Sequence, residues 1–180
     1  DDIDVLIAED EIREREGLPP RYAVPQATLI APDTHGTWEQ LDADTQLWRL
    51  RIESPKAVSI NLGFTRYNLP DSARLSVYSA DLKHIIRPFT SKDNQPHGEL
   101  WTPVVLSDSI VVELTVDTKD VENVDLELGS INPGYRGFGA EDVSDLAGAR
   151  SGSCNVDVVC PEGDDWPLEI ASVAVISTGG

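Results

Sequence analysis

Between Arg21 and Phe138 the chain breaks into short runs in which every second residue is apolar, each run closed by turn-forming residues. Trp48-Arg-Leu-Arg-Ile52 alternates apolar with basic side chains, the period of two that gives a strand one buried and one wet face. Val58, Ile60, Leu62 and Phe64 repeat the alternation; Leu75–Tyr78, Ile85–Phe89, Leu100–Leu106, Ser109–Val116 and Val124–Leu128 follow. Between them stand Ser54-Pro55, Leu69-Pro-Asp71, Ser91-Lys-Asp-Asn94 and Asp117-Thr-Lys-Asp120, whose residues favour turns. Seven or eight strands at this spacing, without an amphipathic helix among them, predict an all-β domain, an antiparallel β-sandwich of jelly-roll or Ig-like type. Spacing alone does not choose between those topologies.

Residues 1–20 have another character. They hold 8 acidic residues against 2 arginines and end in Gly17-Leu-Pro-Pro20. Glu9, Arg13 and Glu16 support one marginal helical turn, which the proline pair stops. The segment therefore reads as a solvated acidic leader, ordered only against something else, with packing through Val5, Leu6 and Ile7 as the alternative. The whole chain carries a formal net charge of -18, which repels a polyanion, so nucleic acid is excluded as a partner. No apolar run reaches the roughly 18 residues of a membrane-spanning helix, so no membrane span is expected. No basic segment followed by an apolar one opens the chain, so any secretion signal is expected to lie outside this sequence.

Several residues invite a functional reading. Trp38, Trp48 and Trp101 offer flat rings of the kind that stack on sugars, yet Trp48 and Trp101 fall within strand runs, where rings are usually core. His35, His84 and His97 are scattered, without the close spacing of a zinc set. Asp33, Asp42 and Asp44 supply hard oxygens for calcium, but too few for its 6–8 ligands. No metal or cofactor is expected. Gly134-Tyr-Arg-Gly137-Phe-Gly139 has neither phosphate-loop nor dinucleotide spacing and reads as the exit from the last strand. Residues 139–150, rich in small and acidic side chains, follow as a flexible, accessible linker. They end at Arg150-Ser151, a basic residue in an exposed stretch, where the plain reading is an ordinary linker arginine. The two cysteines, Cys154 and Cys160, have five residues between them. They are two unrelated thiols, a crosslink between molecules, or a pair. A direct bond is disfavoured because Val156-Asp-Val-Val159 prefers extended backbone, which carries the Cα atoms beyond about 7 Å.

The run Ser151-Gly-Ser-Cys-Asn-Val-Asp-Val-Val-Cys-Pro-Glu-Gly-Asp164, with Ile170–Ile176 and Ser177-Thr-Gly-Gly180, closely resembles the mature N-terminus of secreted bacterial trypsin-like serine endopeptidases of the lysyl endopeptidase type. Leu47–Pro55, Ser59–Phe64, Leu69-Pro70, Leu75–Tyr78 and Gly98–Pro103 resemble the N-terminal region of the same precursors. The resemblance implies four regions: the leader (1–20), a β-sandwich pro-domain (21–138), a processing linker (139–150), and the start of a serine protease domain (151–180). In the last, Ile170–Ile176 becomes the first strand of a trypsin-like β-barrel. In an accessible linker Arg150-Ser151 is the candidate activation bond, its arginine suiting a trypsin-like pocket. The resemblance would place the cut about two residues earlier, after a lysine whose place Gly148 takes here, so the chain is either cut after Arg150 or trimmed by another protease. The resemblance further implies that Cys154 and Cys160 bond to cysteines deeper in the catalytic domain.

The catalytic histidine of such enzymes lies beyond residue 180, so this chain has no catalytic residue and is expected to be inactive by itself. The implied function is a zymogen propeptide, exported to the outside or the periplasm, whose partner is the cognate protease catalytic domain. It assists that domain's folding and keeps it latent. The alternative is a β-sandwich module that recognises a glycan or a protein and stays attached to a secreted hydrolase.

Overall fold

A computed structural model describes residues 3–18 and 21–136. The expected processing linker and protease start, residues 139–180, lie outside the described residues. One helix, α1 (Ile3–Arg15), precedes nine strands: β1 (Gln26–Ile30), β2 (Thr37–Gln40), β3 (Thr45–Glu53), β4 (Ser59–Asn68), β5 (Arg74–Ser79), β6 (Phe89–Thr90), β7 (Leu100–Trp101), β8 (Ser109–Asp117) and β9 (Asp125–Gly134). They form two antiparallel sheets, in the orders β1-β9-β4-β7 and β2-β3-β8-β5-β6. The all-β expectation holds.

The longest regular ladder is β3 against β8, in unbroken register from Thr45 opposite Asp117 to Glu53 opposite Ser109. On its inner side Trp48 and Ile52 meet Ile110, Val112, Leu114 and Val116, all buried. On its outer side Arg49 stands opposite Glu113, with 2.6 Å from Nε to the carboxylate. The alternation in the sequence maps directly onto these two faces.

Strand β4 is less regular. Ile60, Leu62 and Phe64 point inward, but the next buried residue is Tyr67 rather than a residue at position 66. Pairing with β9 slips twice, between Gly63 and Phe64 and between Phe64 and Arg66. The unpaired residues are Gly129 on one strand and Thr65 on the other, so two bulges, one per strand, cancel each other. Gly129 is required there, since a Cβ would lie 2.3 Å from Thr65 Cγ2. Past the bulges, Tyr67 packs edge-on against Phe64, 6.5 Å between centroids, and its hydroxyl donates to the Thr90 carbonyl. Burial pushes that phenol's pKa up.

Two expected strands are mostly loop. Of Ile85–Phe89 only Phe89 enters β6, and of Leu100–Leu106 only the first two residues form β7. Pro88 and Pro103 explain this, because each removes a ladder donor. Val105 still pairs with Ile60 as an isolated bridge.

The leader also differs from expectation. Instead of one marginal turn it is a 13-residue helix. Ile3 and Leu6 join the core cluster of the sheets, whereas Val5 and Ile7 are exposed. Gly17, at φ +73°, ends the helix: its N–H donates to the Glu14 carbonyl and the Leu18 N–H to the Arg13 carbonyl, the double closure of a Schellman motif. Glycine, rather than the proline pair, terminates α1. Among the described residues no helix is long and apolar enough to cross a membrane.

Candidate functional site

Ile3, Leu6 and Asp10 are spaced to share one face of α1. The first two are the apolar contacts of that face; the third is a carboxylate whose side chain is only 2% exposed. A buried carboxylate costs several kcal/mol unless it is paired and hydrogen-bonded. Asp10 is both. Its Oδ1 accepts from Arg21 Nε at 2.7 Å, and its Oδ2 accepts from the Tyr135 hydroxyl at 2.8 Å. The Arg136 guanidinium stands 3.4 Å from the same Oδ2, and Arg13 Nε at 3.9 Å lies beyond hydrogen bonding. Arg21 also reaches the Glu9 carboxylate at 3.0 Å.

The titration shifts follow from this geometry. Hydrogen bonds to Asp10 and Glu9 raise the Arg21 pKa further above its ordinary value. Burial first, and then the hydrogen bond to Asp10, push the Tyr135 phenol up to about 12. Arg21 and Tyr135 therefore both keep their protons at neutral pH.

The backbone converges on the same place. Gly134 ends β9, bridges to Ala23, and accepts the Val58 N–H at 2.8 Å. A Cβ there would lie 2.3 Å from Ser59 Oγ, so any larger residue would require that hydroxyl to rotate away. The Tyr135 N–H donates to the Tyr22 carbonyl at 2.9 Å, with Arg136 N–H on the same oxygen at 3.4 Å. The site thus gathers residues 10, 21, 22, 135 and 136, where the domain hands over to the segment expected as linker. Chemically it is a clamp: one buried carboxylate holding two side chains at the strand exit. Sequence reading marked Gly134–Gly139 as that exit but missed Asp10, because its partners are over a hundred residues away or beyond the proline pair. An acidic residue on the inner face of an otherwise weakly apolar helix was the available signal.

The expected processing residues Arg150 and Ser151, and the expected disulfide residues Cys154 and Cys160, lie outside the described residues. Trp38, Trp48 and Trp101 do not form one platform. Trp48 is buried, its Nε1 donating to the His35 carbonyl at 2.7 Å; Trp38, its register partner, donates to the Pro32 carbonyl at 2.9 Å. Trp101 stands apart on the other sheet, laid over Gly63 and 55% exposed. Each histidine is engaged locally: His35 Nδ1 with Thr34, His84 Nδ1 with the Leu106 N–H, and His97 Nδ1 with the Glu99 N–H. Asp42 caps the β2–β3 turn through the N–H groups of Asp44 and Thr45, which hold its carboxyl below the usual range. Among the described residues no three metal-binding side chains converge.

A family model described as the lysyl endopeptidase N-terminal domain matches residues 21–131, from just before β1 into the last strand.

Proposed function

We propose, from the premise that this chain belongs to the lysyl endopeptidase N-terminal domain family, that it is the pro-region of a secreted, trypsin-like serine endopeptidase. In this reading residues 21–138 assist folding of the catalytic domain and hold it latent. The linker 139–150 carries the activation bond, Arg150-Ser151, and residues 151–180 begin the protease. Cys154 and Cys160 then find their partners deeper in the catalytic domain, which is the domain's binding partner. The parent acts outside the cell or in the periplasm.

The observation that carries the reading is the family match, because it spans more than half of the chain and nearly every strand of the domain. The sheet orders β1-β9-β4-β7 and β2-β3-β8-β5-β6 support the jelly-roll alternative, in which strands from the two ends of the sequence pair within one sheet. Attached glycan recognition has less support, since among the described tryptophans Trp38 and Trp48 are turned into the molecule and Trp101 alone offers an open ring.

The test compares secretion of the whole precursor with that of a precursor lacking residues 21–136. Active protease from the first only, restored when the missing region is supplied separately, supports the proposal. Equal activity from both would reject folding assistance.

A further inference from the structure

We propose that the seam under α1 is a docking groove for acidic amphipathic helices, and that α1 is its releasable occupant within the chain. The groove goes beyond the pro-region reading and does not depend on it.

What α1 brings is separable from what receives it. The helix buries three residues, Ile3, Leu6 and Asp10, and adds no strand to either sheet, so it leaves without dismantling a ladder. The receiving groups are placed by the sheet. The Tyr135 N–H donates to the Tyr22 carbonyl at 2.9 Å, Ala23 bridges to Gly134, and the Gly134 carbonyl accepts the Val58 N–H at 2.8 Å. None of these bonds involves α1. Arg21, Tyr135 and Arg136 therefore stand on a backbone that does not need the helix.

Those three residues form a socket for one carboxylate. Arg21 Nε lies 2.7 Å from Asp10 Oδ1, and the Tyr135 hydroxyl and the Arg136 guanidinium lie 2.8 and 3.4 Å from Oδ2. Arg13, the remaining cation near Asp10, is on the helix itself and departs with it. A vacated socket leaves two guanidiniums facing each other with no anion between them, and their repulsion favours the return of a carboxylate. Lys56, in the turn between β3 and β4, extends this cationic rim and pairs with Asp4, an exposed contact that adds little to affinity but matches an acidic first turn.

The chemistry of the partner is read from the occupant. A fitting helix carries two apolar residues three positions apart and a carboxylate four positions beyond the second, as Ile3, Leu6 and Asp10 do, so that all three share one face. A basic helix is repelled by the rim. Because α1 is tethered, it holds the groove at a high effective concentration, and a partner enters by binding more tightly or by taking the groove when α1 opens locally.

Two measurements on the 180-residue chain test the proposal. Hydrogen exchange read by mass spectrometry is expected to show the α1 amides exchanging at least about tenfold faster than those of β3 and β8, as release without unfolding requires. The full-length double variant Leu6→Asp, Asp10→Ala, whose own helix no longer docks, is then titrated with a fluorescein-labelled peptide of residues 3–18 and followed by fluorescence polarisation. Saturable binding is expected, weakened at least about tenfold when the peptide carries Asp10→Asn, and absent from the wild-type chain, whose groove is filled. Asp10→Ala alone is run beside the double variant in case the latter unfolds. Protection of α1 equal to that of β3 and β8 would overturn the proposal by making the helix an integral part of the fold. So would the absence of saturable binding to both variants, equal binding of the Asp10→Asn peptide, or equal binding to the wild-type chain, which would put the peptide elsewhere. None of these outcomes bears on whether the natural precursor is processed at Arg150.

Discussion

Replacing Gly36 by alanine isolates how the loop before β2 anchors the core. Gly36 has φ +80°, and an added Cβ would lie 2.4 Å from Trp48 Nε1, 2.7 Å from Cε2 and 2.8 Å from the Arg49 carbonyl. Gly98 has nearly the same backbone, φ +71°, but nothing within 4 Å of its added Cβ. Both variants incur the left-handed backbone cost of roughly 1–2 kcal/mol, partly offset by about 0.5 kcal/mol from a less disordered unfolded chain. Gly36→Ala must in addition shift a fully packed tryptophan, at about 1–3 kcal/mol. It also breaks or lengthens the Trp48–His35 hydrogen bond, at about 1 kcal/mol. The expected losses are about 2.5–5.5 kcal/mol for Gly36→Ala and about 1 kcal/mol for Gly98→Ala. Urea unfolding followed by far-ultraviolet circular dichroism measures both, because the signal does not depend on which tryptophan is disturbed. Equal destabilisation within about 0.5 kcal/mol would mean that backbone strain alone decides the outcome and that Trp48 is not pinned as described.

Other consequences follow from the same contacts. Gly129→Ala is expected to cost about 2 kcal/mol or more through collision with Thr65, and Thr65→Gly in the same chain is expected to recover part of it; a double-mutant urea series reads the coupling. The Tyr135 phenol keeps its proton to about 12 in the folded chain, against about 10 unfolded. Its contribution is therefore complete below pH 10 and disappears as pH rises towards 12; Tyr135→Phe is expected to flatten that part of the stability–pH curve. Asp81 shows the opposite sign. The Ser79 hydroxyl, then the Lys83 N–H and side chain, depress its carboxyl to about 2, so its contribution is present above pH 3.8 and lost as pH falls through about 2. Carboxyl NMR titration should find Asp81 half-protonated near pH 2 and moved towards 3.8 in Ser79→Ala.

Where residues alternate and pair with neighbours of similar character, the fold was legible in the sequence. β3, β5 and β8 lie where Trp48–Ile52, Leu75–Tyr78 and Ser109–Val116 predict them. β1 and β2 were not, because Gln26–Ile30 and Thr37–Gln40 are short edge strands with largely exposed faces and carry little periodic signal. Prolines cut β6 and β7 short, although their positions were plain. The compensating bulges at Thr65 and Gly129 exist only once β4 meets β9, so no single segment announces them. Helix α1 was hidden for a related reason: part of what binds it is the ionic clamp on Asp10, and a pattern of apolar residues cannot show a charge buried against distant partners. The strand exit at Gly134 was visible as a glycine-rich stretch, while its role as the floor of the clamp was not.

The most direct measurement is intact-mass analysis of the full-length precursor during secretion and activation, with an Arg150→Ala variant beside it. The account predicts release of a fragment ending at Arg150 from the parent protein, and loss of both that release and proteolytic activity in the variant. A precursor that stays whole while active, or is cut far from residue 150, would contradict it and favour a domain that remains attached to its hydrolase.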